Sequence, residues 1–365
     1  MQSITYQTLL RSAYAFAILG LGLPVFNASG AEENAMDANG YPPHPPEKRL
    51  VGIAYQTWFP PTAWDYVWGT PELGHYSSDD REVIRQHAAW LYDAGVDFIW
   101  IDWSNNVDHD PDLPPGAPIL DEDGERYLAN RPDILAIETA TEILFEEYAQ
   151  LEERPKIAIF AGAQPAASAT DGRLQRKADQ IYDTFIANPD YRDMYVTHLG
   201  KPLLVVYVGT PSPWQTGTAD WDDPRFTVRW MTGFVTEQPP LRTDDLISRH
   251  GYWSWEDRVA QTYTLHDGQP EAMVVVASWR QQAEPGEDSY IPARGREDGA
   301  TFRDQWARAR EIGPKFAMVV SWNEWTLGEA VDDEISKDIE PSEEHGHFYL
   351  ELLKEEIAKF KSETE

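Results

Sequence analysis

Apolar residues along this chain fall into short, dense runs rather than alternating patterns. Leu50 to Tyr55 (LVGIAY), Phe98 to Asp102 (FIWID), Ile157 to Gly162 (IAIFAG), Leu203 to Val208 (LLVVYV), Met273 to Ser278 (MVVVAS) and Phe316 to Ser321 are the clearest. Phe226 to Trp230 is a weaker run, and Leu246 to Trp253 (LISRHGYW) a polar one. Continuous apolar runs of this length are the pattern of strands buried on both faces. Between several of them lie stretches with helical spacing. Asp79 to Ala94 follows Ser77-Ser78 and places Val83, Ile84, Ala88, Leu91 and Tyr92 on one side. Ile134 to Leu151, Leu174 to Ile186, Asp298 to Ile312 and Glu343 to Phe360 are the others. Eight strands alternating with helices predict a (β/α)8 TIM barrel. No long helical pattern separates the fourth run from the seventh, so the middle of the barrel is expected to be irregular. A doubly wound open sheet is the alternative, but no Gly-rich phosphate loop follows the first strand.

The long connections follow the C-terminal ends of the strands, at 56–78, 103–131, 163–172, 209–223 and 280–299. In a barrel that end carries the active site. In or beside these connections stand Trp58, Trp64, Trp68, Trp103, Trp214, Trp221, Trp253, Trp255 and Trp279. Indole faces pack well on the apolar faces of sugar rings, so the pattern predicts a carbohydrate cleft.

The ends of the chain read differently. Residues 1–31 have the form of a secretory signal: Arg11, an apolar segment from Ala13 to Val25, then the small residues of Asn27-Ala28-Ser29-Gly30-Ala31. An uncleaved anchor is the alternative there. Residues 32–48, rich in Pro, Asn and Glu, read as a flexible lead-in, and 49–365 as one catalytic domain. The reading is of a secreted or periplasmic protein with no membrane contact beyond that anchor. The body holds no apolar run long enough to span a bilayer. A net charge of -32 makes nucleic acid a poor partner. With no cysteine, thiolate metal sites and disulfides are excluded.

Candidate chemistry concentrates at strand exits. The last run ends in Ser321-Trp322-Asn323-Glu324-Trp325. A carboxyl flanked by indoles at that point suits an acid, base or nucleophile acting on a glycosidic bond, which needs two carboxyl roles. Glu324 is the first candidate. Asp102, at the exit of the second run, or Glu329 is its partner. Tyr55, Trp58, Trp103, His250, Tyr252, Trp279, Arg280 and Asn323 occupy positions from which they could bind sugar, with Glu340 either behind them, supporting the site, or at the rim. Asp108-His109-Asp110 and the acidic turn at 121–125 lack the spacing of a calcium loop, so no metal and no cofactor are expected. Neither a Gly-x-Ser-x-Gly nor a His-Glu-x-x-His segment is present.

The Trp322-Asn323-Glu324-Trp325 segment, followed by Ile339-Glu340-Pro341, resembles a signature of the glycoside hydrolase family 71 and family 99-like superfamily. Ala54-Tyr55-Gln56-Thr57-Trp58 and the stretch from Gly95 to Trp103 fit as well. The resemblance implies a (β/α)8 barrel that cleaves a polysaccharide or oligosaccharide. Family 99 proper carries two glutamates three apart; here Glu324 matches the first, and Leu327 stands at the second. That departure leaves the mechanism open, and keeps a non-catalytic carbohydrate-binding or polysaccharide-assembly barrel as the second reading.

Overall fold

The computed structural model describes residues 48–59, 64, 67–109, 114, 117–120, 126–129, 132–163, 166–208, 221–234, 248, 251–257, 261–281, 285–287, 290–325 and 336–362. Eight strands make the barrel: β1 (Leu50–Tyr55), β2 (Phe98–Trp103), β3 (Lys156–Gly162), β4 (Lys201–Tyr207), β5 (Thr227–Phe234), β6 (Trp253–Glu256), β7 (Gln269–Val276) and β8 (Phe316–Val320). All neighbours among them pair in parallel, in the order β7-β8-β1-β2-β3-β4-β5-β6. The hydrogen-bonded path ends at β6, which lies against β7 and nearly closes the ring. The chain is a (β/α)8 TIM barrel. Three short strand pairings decorate it: Pro118–Leu120 with Arg126–Ala129, Thr197–His198 on β4, and Tyr263–His266 on β7.

The helices are α1 (Arg81–Asp93), α2 (Pro132–Tyr148), α3 (Arg173–Ile181), α4 (Ala300–Ile312) and α5 (Phe348–Ser362). The start of α1 is set by Asp80, whose carboxylate accepts from the N–H groups of Glu82 and Val83. Among the described residues no helix lies between Tyr207 and Gln269, the irregular half that the sequence predicts.

Strand parity sorts the side chains into two cores. Phe98, Trp100, Phe160, Leu203, Val205, Val274, Phe316 and Met318 fill the barrel interior. Their neighbours, among them Ile99, Ile101, Ile157, Ile159, Leu204 and Val275, pack outward against the helices. Gly52 is small because Phe98 crosses the interior there; a Cβ would stand 2.4 Å from its ring.

Seven of the eight runs coincide with barrel strands. The sixth differs. Residues 246, 247, 249 and 250 of the expected strand lie outside the described residues, and the strand observed here is Trp253–Glu256, which begins where the expected one ended. Gly251 turns the chain at a φ of 69° just before it, and Trp253 and Trp255 then fill the interior. This strand has only four residues and holds Ser and Glu, so it carries no apolar run. The expected signal segment and all of the lead-in except Lys48 lie outside the described residues, as do His250, Glu329 and the acidic turn at 121–125.

Candidate active site

The C-terminal mouth of the barrel has an aromatic floor. Trp255 meets Trp100 and Phe160, with ring centroids 5.4 and 5.5 Å apart, and Tyr207 lies beside Phe160. Parity places Asp102 above this floor, because Phe98, Trp100 and Asp102 share one face of β2. Tyr207 reaches the mouth on β4 for the same reason, after Leu203 and Val205.

Over the floor stands a charged cluster. Lys337 Nζ is 2.8 Å from Glu324 Oε2 and 3.1 Å from Glu256 Oε2, and it sits 5.7 Å from the centre of the Trp255 ring. Those two distances from one ammonium leave the carboxylate oxygens no more than about 6 Å apart. Glu324 follows the exit of β8, with its backbone N–H donating to Ser321 Oγ at 3.2 Å. Asp102 accepts from the Ser104 N–H at 2.8 Å. That turn is possible because Gly162 lies beneath it: a Cβ there would stand 1.7 Å from the Ser104 carbonyl oxygen. Gln56, fully buried at the exit of β1, lies close enough to Asp102 to favour its charge. Its side-chain amide nonetheless closes no hydrogen bond of ordinary geometry with any described residue.

The electrostatics follow from this arrangement. Burial pushes Asp102 up to about 6, against the hydrogen bond from Ser104, the nearby Gln56 amide and the charge of Lys337. Burial also raises Glu324, with Lys337 opposing it and Asp338 and Glu256 adding to it. Burial disfavours the Lys337 ammonium, but Glu324 and Glu256 outweigh that and raise its pKa. Tyr207 is driven up to about 12 by burial and by the carboxylates of Asp102 and Glu324. Asp102, Glu324, Glu256, Lys337 and Tyr207 therefore act on one another within one space.

The other sequence candidates fall elsewhere. Tyr55 and Trp103 lie on the outward face of their strands, among the residues packed on the helices. Tyr55 Oη is 2.9 Å from His87 Nδ1, and Trp103 Nε1 donates to Thr141 Oγ1. Both are buried, so neither presents a face to a sugar in this structure. Glu340, of the two places open to it, takes the one behind the mouth and not the rim. It accepts from Tyr76 Oη (2.8 Å) and Trp325 Nε1 (2.6 Å) and lies 2.9 Å from His87 Nε2, with its side chain wholly enclosed. Asn323 is likewise enclosed: its Oδ1 accepts from the Gln56 N–H, and its Nδ2 donates to Gln56 O and lies 3.1 Å from Tyr76 Oη. Asn323 thus fixes the β8 exit to the β1 exit, and the side chains of both residues are buried away from solvent. Tyr252 is buried near Trp230, and Trp279 is buried, with its indole donating to Pro292 O. Trp58 and Arg280 are half-buried.

Three residues of the cluster were not singled out from the sequence. Glu256 stands on the sixth strand, which the sequence places too early, but Trp253-Ser254-Trp255-Glu256 puts a carboxyl directly after an indole at a strand end. Tyr207 was signalled by its place at the end of the fourth run. Lys337 lies in a long connection and carries no local signal.

Neither a protein-family model nor a curated protein matches the sequence. Solved structures do match. The GH99 endo-alpha-mannosidase of Bacteroides thetaiotaomicron in complex with bis-tris-propane is similar with a TM-score of 0.55 at 18% identity, over 86% of this chain and 97% of that one. A second structure of the GH99 endo-alpha-mannosidase from this organism gives 0.51 at 16% identity, with the same coverages. The chain shares their fold. A structure described as a glycoside hydrolase-like protein is also similar, with a TM-score of 0.50 at 15% identity over 93% of this chain and 97% of that one. At these identities the likeness establishes the architecture, and the chemistry rests on the mouth itself.

Proposed function

We propose that the protein is a glycoside hydrolase that cleaves a polysaccharide or oligosaccharide at the C-terminal mouth of its barrel, with Glu324 and Asp102 as the working carboxyls. The observation that carries this reading is the raised pKa of both groups above one aromatic floor. Asp102, pushed up to about 6, keeps its proton well above the usual carboxylate range, as a general acid working in mildly acidic solution must. The shared fold with GH99 endo-alpha-mannosidase supports the same class of reaction. Glu329, the other partner weighed for Glu324, lies outside the described residues. Action outside the cytoplasm is part of the proposal and rests on residues 1–31; N-terminal sequencing of the mature protein tests it.

One observation favours a second reading, a carbohydrate-binding barrel without catalysis: Lys337 already neutralises Glu324 by direct contact. The two are separated by product release from a panel of neutral and anionic glycans, with wild type beside Glu324→Gln. The hydrolase reading expects cleavage by the wild type and a loss of about 10³-fold or more in the variant. Equal rates in both would remove Glu324 from the chemistry. Binding without cleavage in either would establish the second reading.

A further inference from the structure

Lys337 is held by a segment whose neighbours are tied at many points. Ser278 Oγ donates to Ser336 O at 2.5 Å. Arg296 donates to Ser336 Oγ and to Asp338 O at 3.2 and 2.9 Å. The two carboxylate oxygens of Asp338 accept from Ser321 Oγ at 2.7 Å and Trp68 Nε1 at 2.8 Å. The N–H groups of Ile339 and Glu340 donate to the carbonyls of Ser321 and Trp322. Residues 336–340 are thus fastened to the same β8 exit that carries Glu324. The stem of Lys337 has a fixed root, and its ammonium is delivered between Glu324 and Glu256 over Trp255. Burying a lysine costs hydration and side-chain freedom, so a frame this complete implies that the charge is needed at that point.

We infer that Lys337 is a positioning residue that divides the labour of the mouth, holding Glu324 ionised and oriented while Asp102 carries the proton. The inference rests on the hydrolase reading and assigns roles within it. Asp102 gives its proton to the glycosidic oxygen as that oxygen takes the electron pair of the breaking C–O bond. Glu324 either bonds to the anomeric carbon or takes a proton from the water that does. In the first case, water later displaces Glu324 and its proton returns to Asp102. Glu324 must be a carboxylate at the outset in both cases, and the ammonium in contact with it favours that form against the burial that opposes it. Glu256 holds the far side of the ammonium. Among the described residues, the charged and titratable groups around the pair are Asp102 on β2, Tyr207 on β4, Glu256 on β6 and Asp338 beside Lys337.

The test compares wild type, Lys337→Met and Lys337→Arg by the pH dependence of kcat/KM on a cleaved glycan. Removing the ammonium from contact with Glu324 and Glu256 should move the acidic limb upward by about 1–3 pH units, with Arg restoring much of the wild-type profile. Melting temperature is recorded alongside, because a purely structural role would lower it without moving the limb. Carbon-detected titration of the Glu324 carboxyl, identified by its loss in Glu324→Gln, gives a readout that needs no substrate. An upward shift of that titration in Lys337→Met supports the inference even if no glycan is cleaved, in which case only the hydrolase reading fails. An unmoved acidic limb or an unmoved titration overturns it. If Lys337→Met does not fold, Lys337→Gln keeps a polar group in the mouth and replaces it in both measurements.

Discussion

The two ends of the barrel each bury an acidic side chain against a cation, and they do so to opposite effect. At the N-terminal end Glu271 accepts from His198 Nε2 (2.7 Å), from Arg229 Nε and Nη2 (2.9 and 2.6 Å) and from Trp253 Nε1 (3.1 Å). Burial alone would raise its pKa, but His198 and Arg229 bring it down to about 2. At the C-terminal mouth burial raises both Asp102 and Glu324: the few donors at Asp102 do not offset it, and at Glu324 the charges of Asp338 and Glu256 add to it. Burial is common to both ends; saturation is not. A buried carboxylate whose acceptors are filled is a brace, and one left short of donors is available to move a proton. Glu138, which accepts from Lys177, Gln180 and Asn106 and falls to about 2 despite burial, belongs with the braces.

The comparison can be sharpened with Glu340, a brace that lies close to the mouth. Glu340→Ala leaves the buried donors of Tyr76, Trp325 and His87 facing an empty space. Urea unfolding should show a loss of about 3–5 kcal/mol. A loss under about 1 kcal/mol would mean that filled acceptors do not mark a brace here.

Asp102 should behave in the opposite way. Its folded carboxyl ionises at about 6 against an ordinary 3.8, so the folded state keeps the proton over a range where the unfolded state has lost it. The fold is therefore unaffected by Asp102 below about pH 4, is penalised progressively as pH rises to 6, and carries the full penalty above that. Asp102→Asn removes the penalty. The variant should gain up to about 3 kcal/mol at pH 7 and nothing at pH 4, while losing hydrolysis. Unfolding curves at the two pH values check this; a variant less stable than wild type at pH 7 would contradict it.

A smaller effect is expected at Gly162. An added Cβ must push the Ser104 carbonyl away, and with it the N–H that orients Asp102. Gly162→Ala should lower kcat by about 10- to 100-fold, because a displacement near 1 Å in a reacting group is enough for that. Unchanged kcat with a normal melting temperature would show that the Ser104 turn does not orient Asp102.

Much of the barrel is legible in the sequence because both faces of its strands are buried, and burial on both faces writes an uninterrupted apolar run. The sixth strand escapes because Trp253–Glu256 is short and its fold-determining residues are two indoles, not a run. Asp102 and Glu324 are legible from their place at strand exits. An exit position does not say which way a side chain faces. Asp102 and Trp103 are adjacent, yet one enters the mouth and the other packs on α2 and Phe185. Parity would have separated them, given one residue known to face the interior; Tyr55 falls on the outward side by the same count. The sequence leaves Glu340 open between a place behind the site and one at the rim, because its three partners come from 76, 87 and 325, which no local pattern links. Lys337 is invisible for the same reason: its importance comes from Glu256, 81 residues away.

The most direct test of the contrast between the two ends is to make Glu324→Gln and Glu271→Gln and to measure, for each, both glycan cleavage per folded molecule and unfolding free energy at pH 7. The account predicts a crossed result. Glu324→Gln should lose about 10³-fold or more in rate with little loss of stability, and Glu271→Gln should lose about 3–5 kcal/mol with its rate per folded molecule nearly intact. If Glu324→Gln cleaves at the wild-type rate, or is the variant that unfolds, the mouth is a second brace and the account is wrong.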